Sequence, residues 1–236
     1  MLKRLSVKTK LYIFLLLTIL AIGIVVYDRV QNDKLRWNKT ESENSAILSQ
    51  NKEEAKKAAE EKKKEEEAAE KQKKLDIKYN EALNAFESKE YYKAITIADE
   101  ILGVDDKNYK AYNIKGIAIC YGKQFQFEEG VSNIDKALAI KPDYGYARYS
   151  KAQVYALYGH YDEALGFYDQ AIDGDKNYVW SYYGKASVYG RKGDAANTVK
   201  YLKTAISMDQ RAKEEAKKDV DFANVRSNEE FQQLIK

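Results

Sequence analysis

Few side chains of this sequence could take part in catalysis, and those few lie far apart. The 236 residues include a single histidine, His160, and a single cysteine, Cys120. One residue of each kind cannot complete a zinc site, and neither Ser181 nor Ser187 has a base near it in the sequence to activate it as a nucleophile. We therefore expect no enzyme, metal, cofactor or small-molecule substrate. His160 should be an exposed turn residue and Cys120 a small packing residue.

Motifs and charge patterns argue against three further kinds of site. The pairs Asp105-Asp106 and Asp173-x-Asp175 lack the EF-hand spacing of a calcium loop, and we interpret them as helix-end and turn residues. Neither GxxxxGK[ST] nor GxGxxG occurs, so the usual phosphate-binding loops are missing. Residues 75–208 carry 17 basic and 18 acidic side chains, whereas a nucleic-acid-binding domain should show a basic excess. We expect no nucleic-acid partner.

Small residues recur with a period of about 34 residues. The secondary-structure elements that carry these residues must also position any functional site. Ala94, Gly130, Ala164 and Thr198 align at separations of 36, 34 and 34 residues. Such a period predicts an array of helix–turn–helix units, each burying its apolar face against the next. Further small residues fall seven positions later or twelve positions earlier: Ala137, Ala171, Ala205, Ala82, Ala152, Ala186 and, displaced by an insertion near 122–126, Gly116. We predict helices at 75–88, 91–103, 109–122, 127–140, 145–158, 161–172, 179–191 and 195–207.

The repeat resembles the tetratricopeptide repeat over about residues 75–210. The second unit alone keeps the family's closing proline, Pro142. The resemblance implies an all-α fold, a right-handed superhelix of four stacked helix–turn–helix units at 77–210, with a protein or peptide bound in its concave groove. The third unit carries the most family positions, namely Ala152, Tyr155, Gly159, Tyr161, Ala164, Tyr168 and Ala171.

Residues 211–236 do not form a further repeat, and we interpret them as a capping helix. Ser227 and Glu230 match a capping box, and Phe231, Leu234 and Ile235 follow at helical spacing. A repeat array needs such a cap because its last unit otherwise exposes an apolar face. The DxDFxxxRxxxxFxxL pattern of this segment also resembles the ending of many tetratricopeptide proteins.

Aromatic residues are concentrated in the repeats, since 18 of the 20 tyrosines lie between residues 79 and 201. Tyrosine and tryptophan recur at interface hot spots because they offer a large apolar area and a polar tip. One group occupies repeat core positions: Tyr112, Tyr155, Tyr161, Tyr168, Tyr182 and Tyr189. A second group falls where the family lines its groove, and we predict that it binds the partner: Tyr79, Phe86, Tyr121, Tyr146, Tyr149, Trp180 and Tyr183. Alternatively, these residues only cover the core edges between repeats.

The family's best-known groove grips a C-terminal carboxylate with Lys, Arg and Asn at set positions. Asn80, Asn113 and Lys110 fall on the groove side of this sequence, but Arg148 falls one step towards the core. The sequence does not reproduce that clamp. We expect an extended or helical segment docked on aromatic side chains instead.

An uncharged apolar stretch at 11–27 follows a basic N-terminus at 1–10. Seventeen helical residues span about 26 Å, close to the roughly 30 Å hydrocarbon core of a bilayer. The basic flank predicts a single-pass anchor with a cytosolic N-terminus and extracytoplasmic repeats. The alternative is a signal peptide cleaved near Ala21-Ile22-Gly23, which would leave a secreted protein. The absence of a cysteine pair suits a bacterial export route.

Two segments connect the apolar stretch to the repeats. Residues 51–76 are rich in Glu, Lys and Ala, with Glu–Lys pairs such as Glu53–Lys57 and Glu60–Lys64 four residues apart. They predict a solvated helical spacer of about 39 Å, and a weak coiled-coil dimer is the alternative. We interpret residues 28–50 as a flexible polar connector.

These features together favour a membrane-anchored adaptor or scaffold that binds a partner protein outside the cytoplasmic membrane. The runner-up is a chaperone-like holder of exported, unfolded chains. One stoichiometric partner would favour the adaptor, and many partners would favour the holder.

Overall fold

The structure, a computed structural model, describes residues 6–122 and 126–236. Helices are the only regular elements in this part of the chain. Two compact units are present, Met1–Glu70 and Lys71–Lys236. The helices are α1 (Val7–Glu87), α2 (Tyr91–Val104), α3 (Tyr109–Tyr121), α4 (Phe127–Ile140), α5 (Gly145–Leu157), α6 (Tyr161–Gly174), α7 (Val179–Lys192), α8 (Ala195–Met208), α9 (Arg211–Lys218), the 3₁₀ helix Val220–Val225 and α10 (Glu229–Ile235).

In the first unit, the part of α1 before residue 71 corrects the prediction of a flexible connector. Helix α1 continues through residues 28–50, so the apolar stretch and the spacer are not separate helices. The physical reason lies in composition, because residues 28–50 contain neither Pro nor Gly, the residues that most disfavour a helix. By length and composition α1 could cross a membrane, and none of its apolar window is buried. Of the predicted N-terminal segment 1–10, residues 1–5 lie outside the described part.

Ion pairs between residues four positions apart lie along the charged part of this unit. Lys57 lies 3.2 Å from Glu53, as the sequence predicts. Glu60 contacts Lys56 at 4.0 Å and Glu67 contacts Lys63 at 3.7 Å, both in the less favourable Lys-first order. All these side chains are exposed, so each pair contributes only about 0.2–0.5 kcal/mol to the helix.

The second unit is built from consecutive packed helices whose bounds agree with the predicted ones within two residues from residue 91 onward. Burial of the small residues explains the period of the sequence, because a short side chain lets two helices approach closely. The aligned positions are all buried: Ala82, Ala94, Gly116, Gly130, Ala137, Ala152, Ala164, Ala171, Ala186, Thr198 and Ala205.

Helices α3 and α4 approach most closely at a pair of glycines. A Cβ atom added to Gly116 would lie 2.5 Å from the carbonyl oxygen of Gly130 and 2.8 Å from Cγ1 of Ile134. The neighbouring Cys120 is buried, and burial raises the pKa of its thiol to about 12. Cys120 therefore acts as a small packing residue, as the sequence predicts.

A repeated ion pair, which the sequence analysis did not identify, joins each of three units to the one before it. In each case a lysine on the first helix of a unit contacts an aspartate sixteen residues earlier. Because the same spacing recurs, the pair belongs to the repeat geometry and not to a local loop. The pairs are Lys115–Asp99 at 2.6 Å, Lys151–Asp135 at 2.6 Å and Lys185–Asp169.

The C-terminal cap consists of α9, the 3₁₀ helix and α10, and not of one helix. Phe222 and Phe231 are fully buried against the last repeat helices. The predicted capping box at Ser227 is displaced by one residue, since the side chain of Asn228 accepts a hydrogen bond from the Phe231 amide at 3.0 Å. Asparagine is as good an N-cap as serine, so either residue could have begun the helix.

The acidic residues lie at helix ends and in turns, and the histidine lies in a turn, as predicted. Asp105 accepts a hydrogen bond from the Lys107 amide at 3.2 Å, and Asp175 accepts one from the Asn177 amide at 2.9 Å. His160 is exposed directly before α6.

Candidate functional site

A cleft of about 380 Å³ opens between α5 and α7 and is closed at one end by the C-terminal cap. Two helices supply most of its wall from one face each, with residues at spacings of three, four and seven. Helix α5 contributes Tyr149, Gln153, Ala156 and Leu157, and α7 contributes Trp180, Tyr183, Gly184, Ser187 and Arg191. The rest of the lining is Tyr121, Tyr168, Glu215, Asp219 and Asp221.

The seven aromatic residues predicted to bind a partner are all half-buried, but only some of them meet in this cleft. Tyr146 lines a separate, smaller cleft with Tyr178. Phe86 packs edge-on against Tyr121 with ring centroids 5.6 Å apart, and the Tyr79 hydroxyl lies 3.5 Å from that of Tyr144. The four residues brought together in the larger cleft are Tyr121, Tyr149, Trp180 and Tyr183.

Tyr168 reaches the cleft from a core position because α7 has a glycine opposite it. A Cβ atom at Gly184 would collide with the Tyr168 ring, so only glycine leaves room for this phenol. Tyr168 is 3% exposed and packs against Tyr149 with ring centroids 6.0 Å apart. The other tyrosines predicted at core positions are half-buried, namely Tyr112, Tyr155, Tyr161, Tyr182 and Tyr189.

Carboxylates of the cap form the acidic end of the cleft. Asp219 accepts a hydrogen bond from the Tyr183 hydroxyl at 2.8 Å. Asp221 lies 2.7 Å from the Arg191 guanidinium and also accepts a hydrogen bond from Ser187. Sequence reasoning treated the cap only as a cover for the last repeat and missed these residues. The DxD spacing next to the buried Phe222 was the signal that could have identified them.

Burial raises the pKa of the phenols of the cleft, which are neutral at physiological pH. It raises the pKa of Tyr121 to about 12 and the pKa of Tyr149 and Tyr168 above the ordinary value. The pKa of Tyr183 is raised by burial and also by its hydrogen bond to Asp219. Protonated phenols can donate hydrogen bonds, so the cleft offers aromatic surface and polar tips at physiological pH.

The residues that resembled a carboxylate clamp do not form one. Asn113, expected on the groove side, is fully buried and donates a hydrogen bond to the Ser150 hydroxyl at 3.1 Å. Lys110 pairs with Asp76 at 3.0 Å, and Arg148 donates to the Pro142 carbonyl at 2.6 Å. The clamp is absent, as the sequence predicts, because each of these three side chains binds another part of its own fold; only the groove-side position of Asn113 is corrected. Asn80 is exposed.

Within residues 6–122 and 126–236, no group of three or more His, Cys, Asp or Glu side chains could hold a metal ion. The acidic end of the cleft therefore does not resemble a metal centre. Its carboxylates instead accept hydrogen bonds from side chains of α7.

Comparison with solved structures identifies a tetratricopeptide-type helical-repeat fold. PilF of Pseudomonas aeruginosa matches with a TM-score of 0.57 and 13% identity, over 70% of this chain and 74% of its own. A thermophilic tetratricopeptide-repeat protein of Thermus thermophilus matches with a TM-score of 0.55 and 16% identity, over 68% and 81%. A mutant O-GlcNAc transferase of Thermobaculum terrenum matches with a TM-score of 0.50 and 13% identity, over 56% and 26%. Likeness at such identities concerns the fold alone.

A scan against models of protein families finds no match, and a search of curated proteins finds none either.

Proposed function

We propose that this chain is a membrane-anchored scaffold that binds a segment of a partner protein in the cleft between α5 and α7. The observation that carries the proposal is the convergence of four half-buried aromatic residues on one cleft, Tyr121, Tyr149, Trp180 and Tyr183. Each has apolar area left to bury, and a partner that covers it gains roughly 25 cal/mol for each Å² removed from water.

The proposal assigns no catalytic step to the chain. The Cys120 thiol is held protonated by burial, which removes the thiolate that nucleophilic catalysis needs. Ser187 donates its hydroxyl hydrogen bond to Asp221, not to an imidazole. A tetratricopeptide fold of four units serves here as a rigid frame that presents side chains to another protein.

The anchor in this proposal is the apolar part of α1, residues 11–27. Its leucines and isoleucines are exposed, with Leu11 at 71% and Leu16 at 63%. A surface of this kind is stable in a bilayer, where each such residue favours insertion by about 0.3–0.6 kcal/mol. The basic N-terminus supports a cytosolic start and extracytoplasmic repeats, in a bacterial envelope.

The test is site-specific photocrosslinking in cells that express the full chain. A benzophenone amino acid replaces Gln153, which lines the cleft, or the control residue Gln170, which is exposed on α6 outside it. We expect one dominant protein to crosslink from position 153, and the crosslink to disappear when Trp180→Ala is added. Membrane fractions from the same cells should retain the chain after an alkaline wash, at its uncleaved mass.

Equal crosslinking from positions 153 and 170 would refute the cleft as the binding site. Many crosslinked proteins of similar yield would favour a holder of unfolded chains over a scaffold. A soluble, shortened chain would show that the N-terminal apolar stretch is a cleaved signal peptide and not an anchor.

A further inference from the structure

We infer that the cleft selects a partner segment that inserts an arginine side chain between its aromatic wall and the carboxylates of the cap. The inference rests on the proposed function and specifies the chemistry of its ligand. Three observations lead to it: aromatic rings that no Lys or Arg of the described residues covers, an excess of carboxylates in the lining, and the size of the cleft.

The first observation concerns cations that lie over aromatic rings. Elsewhere in the repeats, lysines of the chain itself cover such rings, with Lys185 Nζ 4.5 Å from the Tyr201 centroid and Lys151 Nζ 4.6 Å from that of Phe167. Among residues 6–122 and 126–236, no Lys or Arg lies over the rings of Tyr149, Trp180 or Tyr183. These three rings line the cleft, so a cation from a partner could occupy the position that lysine fills elsewhere.

The second observation is the charge of the lining, which holds three carboxylates and one guanidinium. Arg191 is engaged with Asp221 at 2.7 Å. Among the described contacts, the Asp219 carboxylate accepts hydrogen bonds only from neutral donors, the Tyr183 hydroxyl and the Asp221 amide. The main-chain carbonyl of Asp219 accepts one from the Arg226 guanidinium at 2.6 Å. Glu215 pairs with Lys218 at 3.1 Å, but both side chains are exposed and such pairs are weak. A cationic ligand would therefore complement the acidic end of the cleft.

The third observation is the volume of about 380 Å³, which lies near the lower end of ligand pockets, about 300–1,000 Å³. It suits one long side chain with part of a backbone. Arginine fits better than lysine because its planar guanidinium stacks on aromatic faces and binds a carboxylate through two hydrogen bonds. The weaker hydration of a guanidinium also favours it in a half-buried cleft.

The experiment selects ligands without assuming their charge. A phage library of random linear dodecapeptides is panned against the full chain in lipid nanodiscs, and selected sequences are made as fluorescent peptides. We expect arginine to be enriched among them. Replacing that arginine by uncharged citrulline should weaken binding about tenfold or more, as expected for loss of a charge-assisted hydrogen bond.

Matched variants of the protein locate the cation. Asp219→Asn should weaken binding about tenfold, and Glu215→Gln by about two- to fivefold. Glu214→Gln is the control, because Glu214 lies beside Glu215 in α9 but pairs with Lys217 and does not line the cleft. It should leave the affinity unchanged.

The outcomes separate the inference from the proposed function. Selected peptides that lose binding with Trp180→Ala but carry acidic or only apolar residues would overturn the inference and leave the scaffold intact. Full affinity with lysine in place of arginine would overturn the choice of arginine. Failure to select any peptide, or peptides indifferent to Trp180→Ala, would contradict both.

Discussion

The substitution Gly116→Ala tests whether the 34-residue period reflects close helix packing. In the described structure, the new methyl group would lie 2.5 Å from the Gly130 carbonyl oxygen, 2.8 Å from Ile134 Cγ1 and 3.0 Å from the Ile134 amide nitrogen. Two of these three atoms are backbone, so they cannot move aside as a flexible side chain would. Helices α3 and α4 must separate instead.

The magnitude is the difference of two effects. Overpacking costs about 1–3 kcal/mol, and the backbone contacts place this site near the upper value. Alanine recovers about 1 kcal/mol because it favours a helix over glycine. We therefore expect Gly116→Ala to lower the free energy of unfolding by about 2 kcal/mol.

Gly166→Ala is the matched control. Gly166 lies inside α6, and no atom stands within 4 Å of an added Cβ. The same change of residue should there raise the free energy of unfolding by about 0.5–1 kcal/mol. The two variants thus differ only in what surrounds the methyl group.

The assay is urea unfolding of the full chain in detergent, followed by the fluorescence of Trp180 in a Trp37→Phe background. Because Trp180 lies in α7, its signal reports the repeats and not α1. Equal stability of Gly116→Ala and Gly166→Ala would refute the close approach of α3 and α4. It would also mean that close packing at the aligned small residues does not contribute to the free energy of unfolding.

Two further predictions concern the cap and the tyrosines. In the same urea assay, Asn228→Ala should lower the free energy of unfolding by about 1 kcal/mol. Ser227→Ala should change it by less than about 0.5 kcal/mol. The reverse order would show that Ser227 is the N-cap. Above pH of about 10 the unfolded chain loses phenolic protons that the folded chain retains, so stability falls by up to about 1.4 kcal/mol per pH unit for each such tyrosine. For Tyr121 this loss continues until its folded pKa of about 12, so Tyr121→Phe should unfold less steeply with pH between 10 and 12, and identical profiles would contradict its burial.

Helix propensity and capping preference predicted the helices, because both depend only on residues that are neighbours in the sequence. Gly159 and Gly193 stand at positive φ angles of 83° and 75° just after α5 and α7, where glycine ends a helix at little cost. The same rules failed for residues 28–50, whose polar composition suggested a connector although nothing in it interrupts a helix. They also placed the last N-cap one residue early, since Ser227 and Asn228 are equivalent in propensity.

Site residues were predicted less completely, because a cleft joins residues that are distant in the chain. The period of the repeat brought Tyr149 and Tyr183 to equivalent positions, 34 residues apart, and both line the cleft. No periodic signal could place Asp219, because the cap follows the last unit and has its own geometry. Asn113 occupies the same position in its repeat as Tyr149 does in the next one, yet its side chain is buried against Ser150. The exposure of this side chain is decided by the side chains packed around it and not by its position in the repeat.

The sequence by itself determined the helical periodicity, the small residues at the packing positions and the apolar stretch of 11–27, because all of these follow from side-chain size and polarity along one helix. Only the tertiary structure decided which aromatic residues share a cleft, that Tyr168 passes through the gap left by Gly184, and that carboxylates of the cap close its end. Such facts depend on distances between separate helices, and those distances are set by the packing of the whole repeat unit.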